Sequence, residues 1–326
     1  MNYPYVRLRR NSKAEWSRDL ISTTRIAPSD LIYPIFVHDH AENIAIKSLP
    51  GQFRLSIQGA INIAKQAADL GIPALALFPV VNEQYKCKDG REALNKNNLI
   101  ARAVTAIKRE VPDIGLIVDV ALDPYTTHGH DGLVDESGYV INDQTVEVLT
   151  AMALQLAGAG VDAVAPSDMM DGRVKAIREA LEAEKFHNVQ IISYSAKFAS
   201  NFYGSFRSAV GAASLTGAKD KKTYQLDIRS SRVAMLEIEQ DINEGADMVI
   251  VKPGLPYLDI IRMAADRFNV PILGYQVSGE YSMLKLSAQQ GVMNYEQGLL
   301  ETMISFKRAG CSAVFTYAAL ELASML

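Results

Sequence analysis

IISYSAKFASNFYGSFR at residues 191–207 and MVIVKPGLPYLDI at 248–260 decide how this chain is read. Each begins as an apolar, β-branched run and reaches a lysine, Lys197 in one and Lys252 in the other. Near-continuous apolarity marks strands of a parallel sheet covered on both faces. Working outward from strands at 189–194 and 247–252, similar runs occur at 31–37, 74–79, 115–120, 161–166, 271–277 and 313–317. Between them lie helical patterns at 56–70, 143–157 and 230–244, several ending at glycine, the usual helix stop. Strands alternating with helices predict an α/β protein, and eight such units fit a (β/α)8 TIM barrel. A doubly wound open sheet is the alternative, though no GxGxxG or GxxxxGK[ST] supports a nucleotide fold.

Two segments fall outside the repeat. Residues 1–25 are polar and Arg-rich and hold the only tryptophan, Trp16; they read as an N-terminal arm for subunit contacts. Residues 26–326 then form one catalytic barrel domain. Within it, 208–230 is small, Gly-bearing and Lys-rich, a long loop expected to act as a lid.

The 326 residues carry 33 basic and 37 acidic side chains, well mixed, for a net charge of −4. That balance gives no reason to expect nucleic acid or an anionic membrane as partner. No apolar run reaches the roughly 18–20 residues of a membrane helix. The N-terminus lacks the apolar core of a signal peptide. Cys87 and Cys311 form no CxxC site, so a cytoplasmic protein with reduced thiols is expected.

In a barrel, active-site groups come from the C-terminal strand ends. Lys197 and Lys252 would end neighbouring strands about 5 Å apart. Burial and mutual repulsion should then lower both pKa values, making two amines that attack carbonyls to form Schiff bases. A lysine snorkelling at the sheet rim is the alternative for either alone. The third strand runs into DVALDPYTTHGHDG (119–132), dense in Asp119, Asp123, His128, His130 and Asp131. These are acid–base groups or metal ligands, or else a polar turn. The fourth ends in APSDMMDGR (165–173), where Ser167 and Asp168 could also cap a helix. Ser278 and Tyr317 follow the last two strands; Arg207, Lys221 and Gln225 lie in or near the loop, placed to close on a substrate carboxylate.

With DLIYPIFV (30–37), DKKTYQLD (220–227) and YQVSGEYSML (275–284) added, the chain resembles the porphobilinogen synthase (5-aminolevulinate dehydratase) family along its whole length. The resemblance implies a lyase that condenses two 5-aminolevulinate molecules into porphobilinogen in tetrapyrrole (heme) biosynthesis. Lys252 would hold the first substrate, at the P site, and Lys197 the second, at the A site. Ser278 and Tyr317 would bind the P-site carboxylate; Arg207, Lys221 and Gln225 the A-site carboxylate; Tyr203 and Phe206 would line the pocket. Zinc-dependent members carry three cysteines where this chain has Ala121, Asp123 and Asp131, so no catalytic Zn2+ is expected. The aspartate-rich branch responds to Mg2+ or K+. The match places an allosteric Mg2+ at Glu237, with Asp168 and Arg173 behind it. Homo-octamers built through N-terminal arms are also implied. A one-lysine Schiff-base aldolase and an inactive scaffold barrel are the competing readings.

Overall fold

The computed structural model describes residues 2–210 and 220–326, with the side chains of Arg207 and Ser208 left aside. Ten strands form one sheet: β1 (Leu31–Val37), β2 (Ile44–Ala45), β3 (Phe53–Leu55), β4 (Ala74–Pro79), β5 (Gly115–Val120), β6 (Ala163–Pro166), β7 (Gln190–Lys197), β8 (Met248–Lys252), β9 (Ile272–Tyr275) and β10 (Ala313–Phe315). Eight run parallel in the ring β1–β4–β5–β6–β7–β8–β9–β10, and β10 pairs back onto β1 through Leu31–Val314 and Ile32–Phe315. Ring closure makes this a (β/α)8 barrel and removes the open-sheet alternative. The antiparallel β2–β3 hairpin extends β1 at Phe36 and Val37.

The helices are α1 (Glu15–Ile21), α2 (Ile57–Asp69), α3 (Leu99–Glu110), α4 (Asn142–Ala159), α5 (Arg173–Ala183), α6 (Gly204–Ala209), α7 (Ser231–Asn243), α8 (Leu258–Arg267), α9 (Ser278–Gln289), α10 (Tyr295–Ala309) and α11 (Ala319–Ala323). Polar caps start several: Ser56 accepts from Gly59 N, Asn98 from Ala101 N and Ser230 from Val233 N. Gly160 ends α4 at φ 98°, in the left-handed region where a Cβ would be strained.

Strand lengths shift from the sequence reading where side chains intervene. The expected strand at 161–166 begins at Ala163, because Asp162 turns its carboxylate onto Leu116 N at 2.7 Å. The expected 189–194 runs on to Lys197 through an irregularity between Ser193 and Ala196. At the N-terminus only Ser17 of α1 is buried, and Tyr3, Tyr5, Leu8, Trp16 and Leu20 stand exposed. Of the expected lid, 211–219 lies outside the described residues; 220–230 begins with a short turn at Lys221–Thr223. Among the described residues no helix is long and apolar enough to cross a membrane.

Candidate active site

Register brings the two lysines together. β7 pairs with β8 so that Lys197 lies opposite Lys252, and both line one cavity at the C-terminal ends of the barrel strands. Both are buried. Their surroundings differ sharply.

Lys252 Nζ sits among rings, 4.5 Å from the centroid of Tyr275, 4.8 Å from Tyr194, 5.1 Å from Phe206 and 5.6 Å from Tyr203. It has no hydrogen-bond partner among the described residues. Cation–π attraction only partly replaces lost hydration. Burial, and next the charge of Lys197, lower its pKa to about 7, against the pull of Asp119.

Lys197 Nζ donates to Asp131 Oδ1 at 2.9 Å and to the carbonyl of Ser167. Burial pulls its pKa down, but Asp131, Asp123 and Asp119 outweigh it and leave the pKa raised. The expectation of two depressed amines is therefore corrected. Lys252 is the poised amine; Lys197 is a held ammonium. Strand-end spacing shows that the lysines are neighbours, but not which of them faces the carboxylates of the β5 loop.

Asp131 is the hub. Its Oδ2 accepts from Lys221 Nζ at 2.7 Å and from the Tyr224 hydroxyl at 2.6 Å, while Oδ1 takes Lys197. Burial pushes its pKa up, yet Lys197, Lys221 and Tyr224 together hold it well below the usual carboxylate range. Asp123 lies 3.9 Å from Lys221, and burial raises its pKa. Lys221, expected on a substrate carboxylate, thus rests on Asp131. Gln225 is buried and lines the cavity, as do Tyr203 and Phe206.

Ser278 and Tyr317 lie outside that lining. Ser278 Oγ accepts from Phe206 N at 3.0 Å and donates its own proton to the Phe202 carbonyl at 3.5 Å. The Phe206 ring packs 5.7 Å from Phe36, which stacks on Tyr317 at 5.9 Å. Arg207 lies on α6, and its side chain falls outside the described residues.

Three residues do more here than the sequence reading gave them. Asp119 lines the cavity, and burial lifts its pKa to about 7. Its Oδ1 has no hydrogen-bond partner among the described residues. Tyr224 and Ser167 are the others. Asp119 was named only within a cluster and Ser167 only as a cap, while Tyr224, inside DKKTYQLD, was given no role.

On the outer face, half-buried Glu237 lines a recess with Asn142, Asp171, Asp227 and Ser230. Burial raises its pKa. Asp168 is fully buried outside this recess, 3.5 Å from Arg173 Nε, and burial lifts its pKa to about 6. Arg173 also bonds both oxygens of Asp241, at 3.1 and 3.2 Å. Among the described residues no three His, Cys, Asp or Glu side chains group to hold a metal.

The fold and cavity define a closed (β/α)8 barrel with two buried lysines in register at the C-terminal strand ends. Comparison narrows the class. The model of the family described as delta-aminolevulinic acid dehydratase matches residues 5–325. The chain belongs to that family and is a lyase. It is 49% identical over 323 residues to the delta-aminolevulinic acid dehydratase of Bradyrhizobium diazoefficiens, covering 98% of this chain and 91% of the relative. It is 46% identical over 316 residues to that of Rhodobacter capsulatus, covering 97% and 95%. It also superposes, with TM-score 0.97 and 48% identity, on the crystal structure of delta-aminolevulinic acid dehydratase (porphobilinogen synthase) from Toxoplasma gondii ME49 in complex with the reaction product porphobilinogen. That match covers 98% of this chain and 91% of the other.

Proposed function

We propose that this chain is a porphobilinogen synthase that joins two 5-aminolevulinate molecules with loss of two waters, through Schiff bases on Lys252 and Lys197. The observation that carries this reading is the pairing of Lys197 opposite Lys252 across β7 and β8 in one buried cavity. Lys252, with a pKa near 7, offers a free amine at neutral pH. It attacks the ketone of the P-site substrate, water leaves, and the iminium acidifies the neighbouring carbon. Lys197 must first give up a proton. Asp131 is its nearest carboxylate, and it becomes a better acceptor once Lys221 swings to the A-site carboxylate with Arg207 and Gln225. Ser278 and Tyr317 take the P-site carboxylate. Asp123 would accept a proton from substrate. Two imines in register turn a bimolecular condensation into an intramolecular one.

Of the loop expected at 208–230, Lys221 and Gln225 lie within the described residues and line the cavity. The exposed apolar side chains of residues 1–25 support a role in assembly, a homo-octamer in the heme pathway of the cytoplasm. Catalytic Zn2+ has no thiolates in the Asp123–Asp131 loop. The recess at Glu237 offers oxygens of Asp171, Asp227 and Ser230 beside Val140, Met169 and Leu226, and a Mg2+ held there mostly by its own waters would supply allosteric activation. Asp168 would act only through Arg173. Treatment with 5-aminolevulinate and borohydride, followed by mass mapping, tests the core of the proposal. Adducts at Lys252 and Lys197 are expected, and their absence at both overturns it. Chelation followed by Mg2+, Zn2+ or K+ add-back tests the metals, with restoration by Zn2+ alone as the contrary result.

A further inference from the structure

Glu280 is buried, and no cation pairs with it among the described residues. An uncompensated buried carboxylate is costly, so its partners are informative. They are all backbone N–H groups. Val277 N donates to Oε2 at 2.8 Å, as expected of a glutamate in the first turn of a helix. The other two come from a different loop: Leu255 N reaches Oε1 at 2.6 Å and Gly254 N reaches Oε2 at 3.4 Å. Gly254 and Leu255 follow Lys252 by two and three residues, and Val277 directly precedes Ser278. The junction is tight. A Cβ at Gly279 would stand 2.6 Å from Phe202 O, and one at Gly254 would fall 2.1 Å from the Phe306 ring. Burial lifts the carboxyl pKa to about 7, with the three N–H groups pulling it back.

We propose that Glu280 is a positioning residue: its carboxylate locks the loop carrying Lys252 to the helix carrying Ser278, so amine and hydroxyl are held at one spacing. The inference rests on the reading of Lys252 as the P-site Schiff-base lysine. Helix capping alone would need only the Val277 bond. The two bonds to the Lys252 loop add nothing to α9, but they limit where the amine can stand.

The test is site-resolved trapping with 5-aminolevulinate and borohydride in Glu280→Gln, with thermal unfolding followed in parallel. Glutamine keeps the shape but turns a donor toward one N–H. Lys252 adduct formation is expected to slow about 10- to 100-fold relative to Lys197, as for a reacting group displaced by about 1 Å. A loss shared equally by both lysines, or no loss in folded protein, overturns the proposal. If Glu280→Gln does not fold, the same ratio in Glu280→Asp decides: a lowered Lys252 share supports it, and a wild-type share overturns it. No Lys252 adduct in the unmutated chain would instead overturn the Schiff-base reading and this inference with it.

Discussion

Lys197 and Lys252 end adjacent strands in register, yet their surroundings have opposite character. Lys197 faces the β5 side, where Asp131 and the Ser167 carbonyl accept its protons. Lys252 is enclosed by rings instead: Tyr194 of β7, Tyr203 and Phe206 from the segment after β7, and Tyr275 of β9. Similar burial therefore leads to opposite outcomes, a raised pKa in one and a pKa near 7 in the other. Desolvation is common to both; the carboxylates within reach decide the sign. The site thus divides into a ready amine and a reserved one, which suits two substrates handled in order.

Removing each lysine should separate the two most strongly. Lys252→Met and Lys197→Met should each cost at least about 10³-fold in turnover, as loss of a covalent nucleophile does. Their stabilities should move apart. Lys252→Met swaps a buried amine without a hydrogen-bond partner for an apolar chain among rings, a gain of about 1–3 kcal/mol at pH 7. Lys197→Met leaves Asp131 short of one donor, a loss of about 1–3 kcal/mol. Urea unfolding of both variants checks this, and shifts of the same sign would break the comparison.

The pH dependence comes next. Between its folded value of about 7 and its ordinary 10.5, Lys252 is deprotonated in the folded chain and protonated in the unfolded one. Unfolding takes up a proton there, so this group makes stability rise with pH across that window. The Lys197 pKa is raised, so its contribution is full below 10.5 and is lost only at higher pH. Initial trapping at Lys252 should therefore fall about tenfold per pH unit below pH 7. A flat profile from pH 5.5 to 8 would contradict the aromatic enclosure as the cause.

The smallest effect should come from Tyr224→Phe. It removes one of the three side-chain donors on Asp131 and leaves Lys197 and Lys221 in place. A loss of about 1 kcal/mol in stability is expected, with turnover reduced and Lys252 trapping at low substrate unchanged. Slower trapping at Lys252 would show that the two halves of the site are coupled through Asp131.

Much of the fold was legible because parallel strands buried on both faces carry their apolarity in consecutive residues. The runs 31–37, 74–79 and 115–120 match β1, β4 and β5 at both ends. The run at 161–166 overreached because Asp162 looks like a strand residue until its carboxylate meets Leu116 N, 46 residues away. Ser278 and Tyr317 were legible as polar strand-end residues. That neither lines the lysine cavity was not, since it depends on how distant strand ends and α6 pack together.

The sequence by itself determined the repeat of strand and helix, the two lysines at strand ends and the aspartates in place of cysteines, because each is written in neighbouring residues. Only the tertiary structure decided that β10 closes on β1, that Asp131 gathers Lys197, Lys221 and Tyr224, and that Lys252 is left to the rings. Those outcomes depend on distances between residues far apart in the chain. Electrostatic energy falls with distance and rises with burial, and both are set only when the barrel closes.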